Sequence, residues 1–225
     1  MKIIDISGSI YTNMWSYADY YPQFELSAVE FEFSGETYSV DVFKGMHAQT
    51  GSYIETPSIF GGVKKVSHVI DIPLEKLFMI DVYIIQVEHK KLGIKDGLPF
   101  ITKEDLVKGE KEEIPEGAAI LVSSGYGENY REKDYAQKGW FFKKEALYHL
   151  IDKKPLLIGS DSPSWENPAN PEGAFDRFYK SGILLLDPLV NLEKVKNFKA
   201  KLTVLPLKIE NVAVCPVRAI ITEEK

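Results

Sequence analysis

Short runs of apolar residues constrain this chain more than any other feature. Residues 78–87 form an almost unbroken run, and residues 118–123 form a second. Runs of this length without polar alternation predict strands buried on both faces. Residues 155–160 and 183–186 read as further short strands, each followed by an acid, Asp161 and Asp187. A helix over residues 143–152 separates two of these strands. It carries Ala146, Leu147, Leu150 and Ile151 on one apolar face. Strands alternating with helices place the chain in the α/β class.

The rest of the chain is read from local signals. Residues 2–7 alternate and are β-branched, which predicts a strand, and residues 201–208 and 217–221 predict the strands that close the sheet. Residues 29–33 and 37–43 flank Ser-Gly-Glu and predict a hairpin. Residues 73–77 make a helical turn at most. Thr102, with Asp105 at the third helical position, marks a helix start. Residues 173–180 predict another helix. Residues 10–24 are an aromatic-rich loop or short helix, and residues 124–139 a long polar and aromatic loop. Gly61-Gly62 breaks the chain. No repeat or linker divides residues 1–225, so one domain is expected, with two sheets and helices on one side.

Composition excludes several classes of function. The 225 residues are 44% hydrophobic and 27% charged, an ordinary globular balance. The net charge of −6 argues against a nucleic-acid binder, and the pairs Lys64-Lys65, Lys143-Lys144 and Lys153-Lys154 form no basic block. No apolar run reaches the ~18 residues that span a bilayer. Asp5 interrupts the opening residues, which predicts no secretory leader. Cys215 is the one cysteine, which excludes an internal disulfide and a thiolate metal site. The cytoplasm is the expected compartment.

Few motifs of catalysis are present. G-x-G-x-x-G, the Walker A pattern and G-x-S-x-G are all missing. Ser123-Ser124-Gly125 ends a strand and reads either as a turn or as a site serine. Cys215, between Val214 and Pro216, reads as a buried inert thiol. The four histidines, His47, His68, His89 and His149, show no metal-ligand spacing. His47 lies near a polar cluster of Gln49, Thr50, Ser52, Tyr53 and Glu55. Asp161 and Asp187 sit at the carboxyl ends of strands, where open α/β sheets bind ligands. With Glu55 they read as a divalent-cation site, as an acid/base set, or as helix caps and partners of Lys and Arg.

The ordered segments Ile3-Ile4-Asp5-Ile6-Ser7, Gln49-Thr50-Gly51-Ser52-Tyr53-Ile54-Glu55-Thr56-Pro57, Gly159-Ser160-Asp161-Ser162-Pro163-Ser164-Trp165-Glu166, Gly182-Ile183-Leu184-Leu185-Leu186-Asp187, Leu205-Pro206-Leu207-Lys208 and Cys215-Pro216-Val217-Arg218-Ala219 carry a resemblance. Together they resemble the cyclase-like metal-dependent hydrolases, a family that includes bacterial kynurenine formamidase and isatin hydrolase. The resemblance runs from the first strand to the last. It implies a three-layer β/β/α, swivelling-domain-like fold, with a mostly parallel central sheet, a second antiparallel sheet and helices outside. It also implies assembly to a dimer or tetramer, with strands near the N-terminus and aromatic loops reaching a neighbouring subunit. The aromatic segments 11–24 and 126–142 are the expected sticky surface.

The family's activity is metal-dependent amide hydrolysis, of the arylformamidase kind, and its motif reads H-T-G-T-H-x-D-x-P-x-H. Here the ligand histidines fall on Gln49 and Tyr53, the metal-contacting aspartate on Glu55 and the proton-transfer histidine on Ile59. A downstream ligand histidine falls on Phe175, and its partner glutamate on Asp187. Zinc favours imidazole, thiolate and carboxylate ligands, so no tightly held metal is expected. The fallback is a weakly held magnesium, manganese or zinc ion on Gln49, Glu55 and Asp187. One expectation is a pseudoenzyme that keeps a small-molecule pocket built from Gln49, Thr50, Ser52, Asp161, Ser164, Trp165, Glu166, Phe175 and Asp187. The alternative is a hydrolase of an amide or ester bond, with Glu55 as general base and Tyr53 as proton donor. A third reading is an oligomer with a vestigial pocket.

Overall fold

The computed structural model describes residues 1–61 and 67–223; Gly62 and the Lys64-Lys65 pair lie outside the described residues. The strands are β1 (Lys2–Asp5), β2 (Glu25–Phe33), β3 (Glu36–Lys44), β4 (Tyr53–Glu55), β5 (Ile80–Gln86), β6 (Gly93–Lys95), β7 (Leu98–Ile101), β8 (Ala119–Ser123), β9 (Phe141–Phe142), β10 (Leu157–Ser160), β11 (Leu184–Asp187), β12 (Lys199–Pro206) and β13 (Val214–Glu223). The α-helices are α1 (Lys103–Gly109), α2 (Tyr135–Lys138), α3 (Lys144–Asp152) and α4 (Phe175–Lys180).

The strand order is β1-β13-β12-β5-β8-β10-β11-β4 in one eight-stranded sheet, and β4 pairs again with β13. That second pairing closes the sheet on itself. Strands β5, β8, β10 and β11 are mutually parallel neighbours. The joins β11–β4, β4–β13, β13–β12 and β12–β5 are antiparallel. The expected division into a mostly parallel sheet and a separate antiparallel sheet thus takes a different form, because short β4 bridges the two sets into one mixed barrel. Closure leaves fewer bare strand edges. The hairpin β2–β3 and the small sheet β6-β7-β9 stand apart from it.

The apolar runs split by parity, as a strand period of two requires. Val82, Ile84, Ala119, Leu121, Leu157 and Leu186 fill the barrel interior. Their neighbours Tyr83, Ile85, Ile120, Val122, Ile158 and Leu185 face outward beneath the helices. Ala146, Leu147, Leu150 and Ile151 of α3 bury the face expected of them. Helix α1 begins at the expected cap. The Asp105 amide donates to Thr102 Oγ1 at 3.2 Å and the Thr102 amide donates to Asp105 Oδ2 at 3.0 Å.

The aromatic segments depart from expectation. Trp15, Phe24, Tyr126, Tyr130, Tyr135 and Trp140 are buried in the outer core, while Tyr20 is exposed. The hairpin β2–β3 leaves large apolar side chains exposed, Phe31, Phe33 and Val40 among them, and turns tightly at Ser34 and Gly35. Both residues have positive φ, 54° and 81°, as a two-residue hairpin turn demands.

Candidate functional site

Strand β4 organises the pocket. Ile54 points into the barrel, while Tyr53 and Glu55 point to the outer side where α4 packs. Its antiparallel register on β11 sets Glu55 opposite Leu185 and Tyr53 opposite Asp187. Over this face lies a cavity of about 630 Å³. Its walls include Gln49, Tyr53, Glu55, Trp165, Phe175 and Tyr179, and Ile59 lies at its border.

Glu55 is 3% exposed. Gln49 Nε2 donates to its Oε1 at 2.8 Å, and the Tyr179 hydroxyl donates to Oε2 at 2.9 Å. Gln49 is held in that orientation from behind, since Tyr21 donates to its Oε1 at 2.8 Å. Burial pushes the Glu55 carboxyl up, and the bonds from Tyr179 and Gln49 pull partly the other way. The hydroxyls of Tyr17 and Tyr53 share a hydrogen bond of 2.9 Å. Burial holds both phenols well above the ordinary tyrosine range, so both stay protonated near neutral pH.

The residues expected to line the pocket divide. Gln49, Tyr53, Glu55, Ser164, Trp165, Glu166 and Phe175 do line it. Thr50, Ser52, Asp161 and Asp187 do not, and each has another task. Thr50 Oγ1 accepts from the His47 amide at 2.8 Å and closes a turn. Ser52 Oγ accepts from the Gly8 amide at 2.8 Å and donates to the Pro188 carbonyl. Asp161 is fully buried and accepts from Ser123 Oγ, the Ser124 and Gly125 amides and Trp140 Nε1. It holds the turn after β8, which also accounts for Ser123 and Ser124 as turn residues. Asp187 shares the Glu55 face but is fully buried beneath it. Its Oδ1 lies 2.7 Å from Ser160 Oγ. Burial drives its carboxyl well upward, against the pull of Ser160 and the nearby Trp165 indole. That indole N–H and Asp187 Oδ2 are both buried without a hydrogen bond of proper geometry.

His47 supports the site indirectly. It stacks on Tyr21 with ring centroids 4.5 Å apart, and Tyr21 in turn holds Gln49. Tyr179 and Tyr17 are pocket residues that the sequence reading did not single out. Tyr179 was within reach, because it lies four residues after Phe175 on the same helical face. The two rings stack at 5.4 Å. Cys215 is buried in the barrel interior, its thiol raised by burial.

The outer wall of the pocket, residues 163–171, is pinned from outside. Asp96 accepts from Asn167 at 2.7 Å and Asn170 at 3.0 Å. Glu172 accepts from the Lys144 amide at 2.9 Å and from Lys143 Nζ at 3.2 Å. The amide bond and the Lys143 contact hold the Glu172 carboxyl below its ordinary 4.5. A lowered acid contributes stability above its unfolded value and loses it as pH falls through the folded one. Glu172→Gln is therefore expected to lower the melting temperature at pH 7, with the gap to wild type closing below about pH 4.5. A gap that stays constant from pH 7 to pH 3.5 in thermal melts would show that the carboxylate charge is irrelevant.

Among the described residues, no group of three or more His, Cys, Asp and Glu side chains is placed to hold a metal ion. Among the described residues, no helix is long and apolar enough to cross a membrane.

Comparisons with known proteins add a family. The structure of a potential metal-dependent hydrolase with cyclase activity matches with a TM-score of 0.74 at 21% identity, over 99% of each chain. An isatin hydrolase bound to the product analogue thioisatinate matches with a TM-score of 0.79 at 19% identity, over 100% of this chain and 93% of that one. Isatin hydrolase A from Labrenzia aggregata, bound to benzyl benzoate, matches with a TM-score of 0.78 at 20% identity, over 98% and 93%. Likeness at these identities shows a shared fold. A search of curated proteins finds no match. The model of the Cyclase family covers residues 4–167, most of the chain and all of β4 with its Gln49 approach. The chain belongs to the Cyclase family.

Proposed function

We propose that this Cyclase-family protein binds a small molecule in the Glu55 pocket and has lost the metal chemistry of its relatives, making it a pseudoenzyme. One observation carries the reading: both oxygens of Glu55 are bonded by neutral donors, Gln49 and Tyr179. Gln49 turns its amide N–H, not its oxygen, toward Glu55, and Tyr21 fixes it so. Phe175 has no donor atom, and Tyr53 is kept as a phenol by burial. Asp187 is sealed from the cavity. These residues do not suit zinc, which favours imidazole, thiolate and carboxylate ligands. A weak magnesium site would need about six oxygens converging on one point, and Glu55, the buried acid of the cavity, already has both oxygens bonded by Gln49 and Tyr179.

A metal-free hydrolase is the second reading, and the raised Glu55 carboxyl favours it, since such a group makes a better base near neutral pH. Among the described residues the pocket supplies no cationic side chain to polarise a carbonyl. We further propose that the protein acts in the cytoplasm and self-associates through the β2–β3 hairpin.

Elemental analysis of protein purified without chelator is expected to give well under one zinc or manganese per chain. Hydrolysis of isatin and of N-formylkynurenine is expected to stay at the buffer rate with zinc, manganese or magnesium added. Stoichiometric metal, with turnover lost in Glu55→Gln, would restore the metal-dependent hydrolase. Metal-independent turnover lost in the same variant would favour Glu55 as a lone base.

A further inference from the structure

A buried carboxylate is expensive unless a positive charge or a proton meets it. Glu55 has neither an ion-pair partner nor a charged donor among the described residues: its partners are an amide and a phenol. Among the described residues no Lys, Arg or His lines the cavity above it, and Glu166 there is a second carboxyl group. Among the described residues the cavity therefore presents two acids with no base opposite.

Its walls narrow the kind of cation. Tyr53, Trp165, Phe175 and Tyr179 bring aromatic rings to the same space as Glu55. Phe175 and Tyr179 are stacked at 5.4 Å, with Trp165 and Phe175 at 6.4 Å. Aromatic faces attract ammonium groups through their quadrupole, most strongly where water is excluded. An inorganic divalent ion would instead need about six oxygen ligands, and a cavity of about 630 Å³ is far larger than such an ion. A carboxylate or phosphate ligand would meet Glu55 and Glu166 with no compensating base.

We infer that the pocket takes an organic ammonium ion, an amine of small aromatic or alkyl body. Its positive nitrogen sits against Glu55 and its body lies between Trp165, Phe175 and Tyr179. The ammonium supplies the charge that Gln49 and Tyr179 do not, and both keep their bonds to the carboxylate. This inference rests on the metal-free reading of the pocket.

The test is a tryptophan-fluorescence titration of metal-assayed wild-type protein, since Trp165 lines the cavity. The probes are 2-phenylethylamine, its neutral isostere 2-phenylethanol, and phenylacetate. The amine is expected to bind about tenfold or more tightly than the alcohol, consistent with a desolvated charge contact, and phenylacetate weakest. Glu55→Gln is expected to erase the preference for the amine. Phe175→Leu is expected to reduce the amine-to-alcohol ratio several-fold, and it decides the matter if Glu55→Gln does not fold by circular dichroism. The inference is overturned if the amine does not bind, if alcohol or phenylacetate binds as tightly, or if the preference survives in a folded Glu55→Gln. Those results in metal-free protein sink the ammonium class alone. Stoichiometric zinc with metal-dependent turnover sinks the metal-free reading itself, whatever the amine does.

Discussion

Asp161→Ala is expected to destabilise the protein by about 3–5 kcal/mol, the scale for leaving several buried neutral donors without their acceptor. The carboxylate is fully buried and is the common acceptor for Ser123 Oγ, the Ser124 and Gly125 amides and Trp140 Nε1, at 2.8–3.0 Å. Each donor left unsatisfied in the interior costs about 1–3 kcal/mol, reduced where water enters or the turn relaxes. Gly125 sits at φ 84°, so this turn is built on a backbone conformation that favours glycine and has little freedom to find other acceptors. Asp161→Asn is expected to be milder, because one amide oxygen still accepts while its NH₂ faces donors. The loss should also reach the pocket, since Asp161 follows β10 and leads into the segment that becomes its wall. Urea denaturation at pH 7 measures the effect. A loss below about 1 kcal/mol for Asp161→Ala would mean that these donors find partners elsewhere.

Asp161 also shows how far the residues could be read before the fold was known. An acid after an apolar strand signals a position at the sheet's carboxyl end. It does not say whether the side chain opens to a cavity or turns under a loop. Asp161 turned under the loop after β8, and Asp187 under Trp165 and Tyr53. The apolar runs were legible because a strand covered on both faces has no polar position to spare. The cap at Thr102 was legible because it needs only residues within one turn. Strand β4 was not, because its three residues, Tyr53, Ile54 and Glu55, are too few to show a period and its extended form comes from pairing with β11 and β13. That pairing joins residues from three distant parts of the chain and closes the barrel. The segment rich in aromatics near the N-terminus was misread for the opposite reason. Aromatic content marks large buried area as readily as an interface, and Trp15 and Phe24 went into the core.

The second large effect is expected at the hairpin. Phe31→Glu with Val40→Lys is expected to reduce the protein from a self-associated form to single chains. The pairing of β2 with β3 sets Phe31 opposite Tyr38, Val29 opposite Val40 and Ser27 opposite Val42 on one face. The other face carries Glu32 opposite Thr37, Glu30 opposite Ser39 and Ala28 opposite Asp41. The ribbon is thus amphipathic, yet Phe31, Phe33, Val29 and Val40 are 47%, 65%, 55% and 52% exposed. A lone two-stranded hairpin is marginal in water at best, and a bare apolar face of this kind marks an interaction surface. A second copy would cover it: the same face, related by a two-fold axis, is self-complementary in apolar character. Charges placed at its centre would lose the apolar contribution of two side chains, about 1.5–3 kcal/mol each, and add desolvation. The expected outcome is association weakened by a thousandfold or more, about 4 kcal/mol. Light scattering at about 100 µM should then report the single-chain mass for the double variant and at least twice that mass for wild type. Glu32→Lys, on the polar face, should leave wild-type association intact. Wild type at the single-chain mass, or equal losses from the polar-face change, would remove the hairpin as the contact.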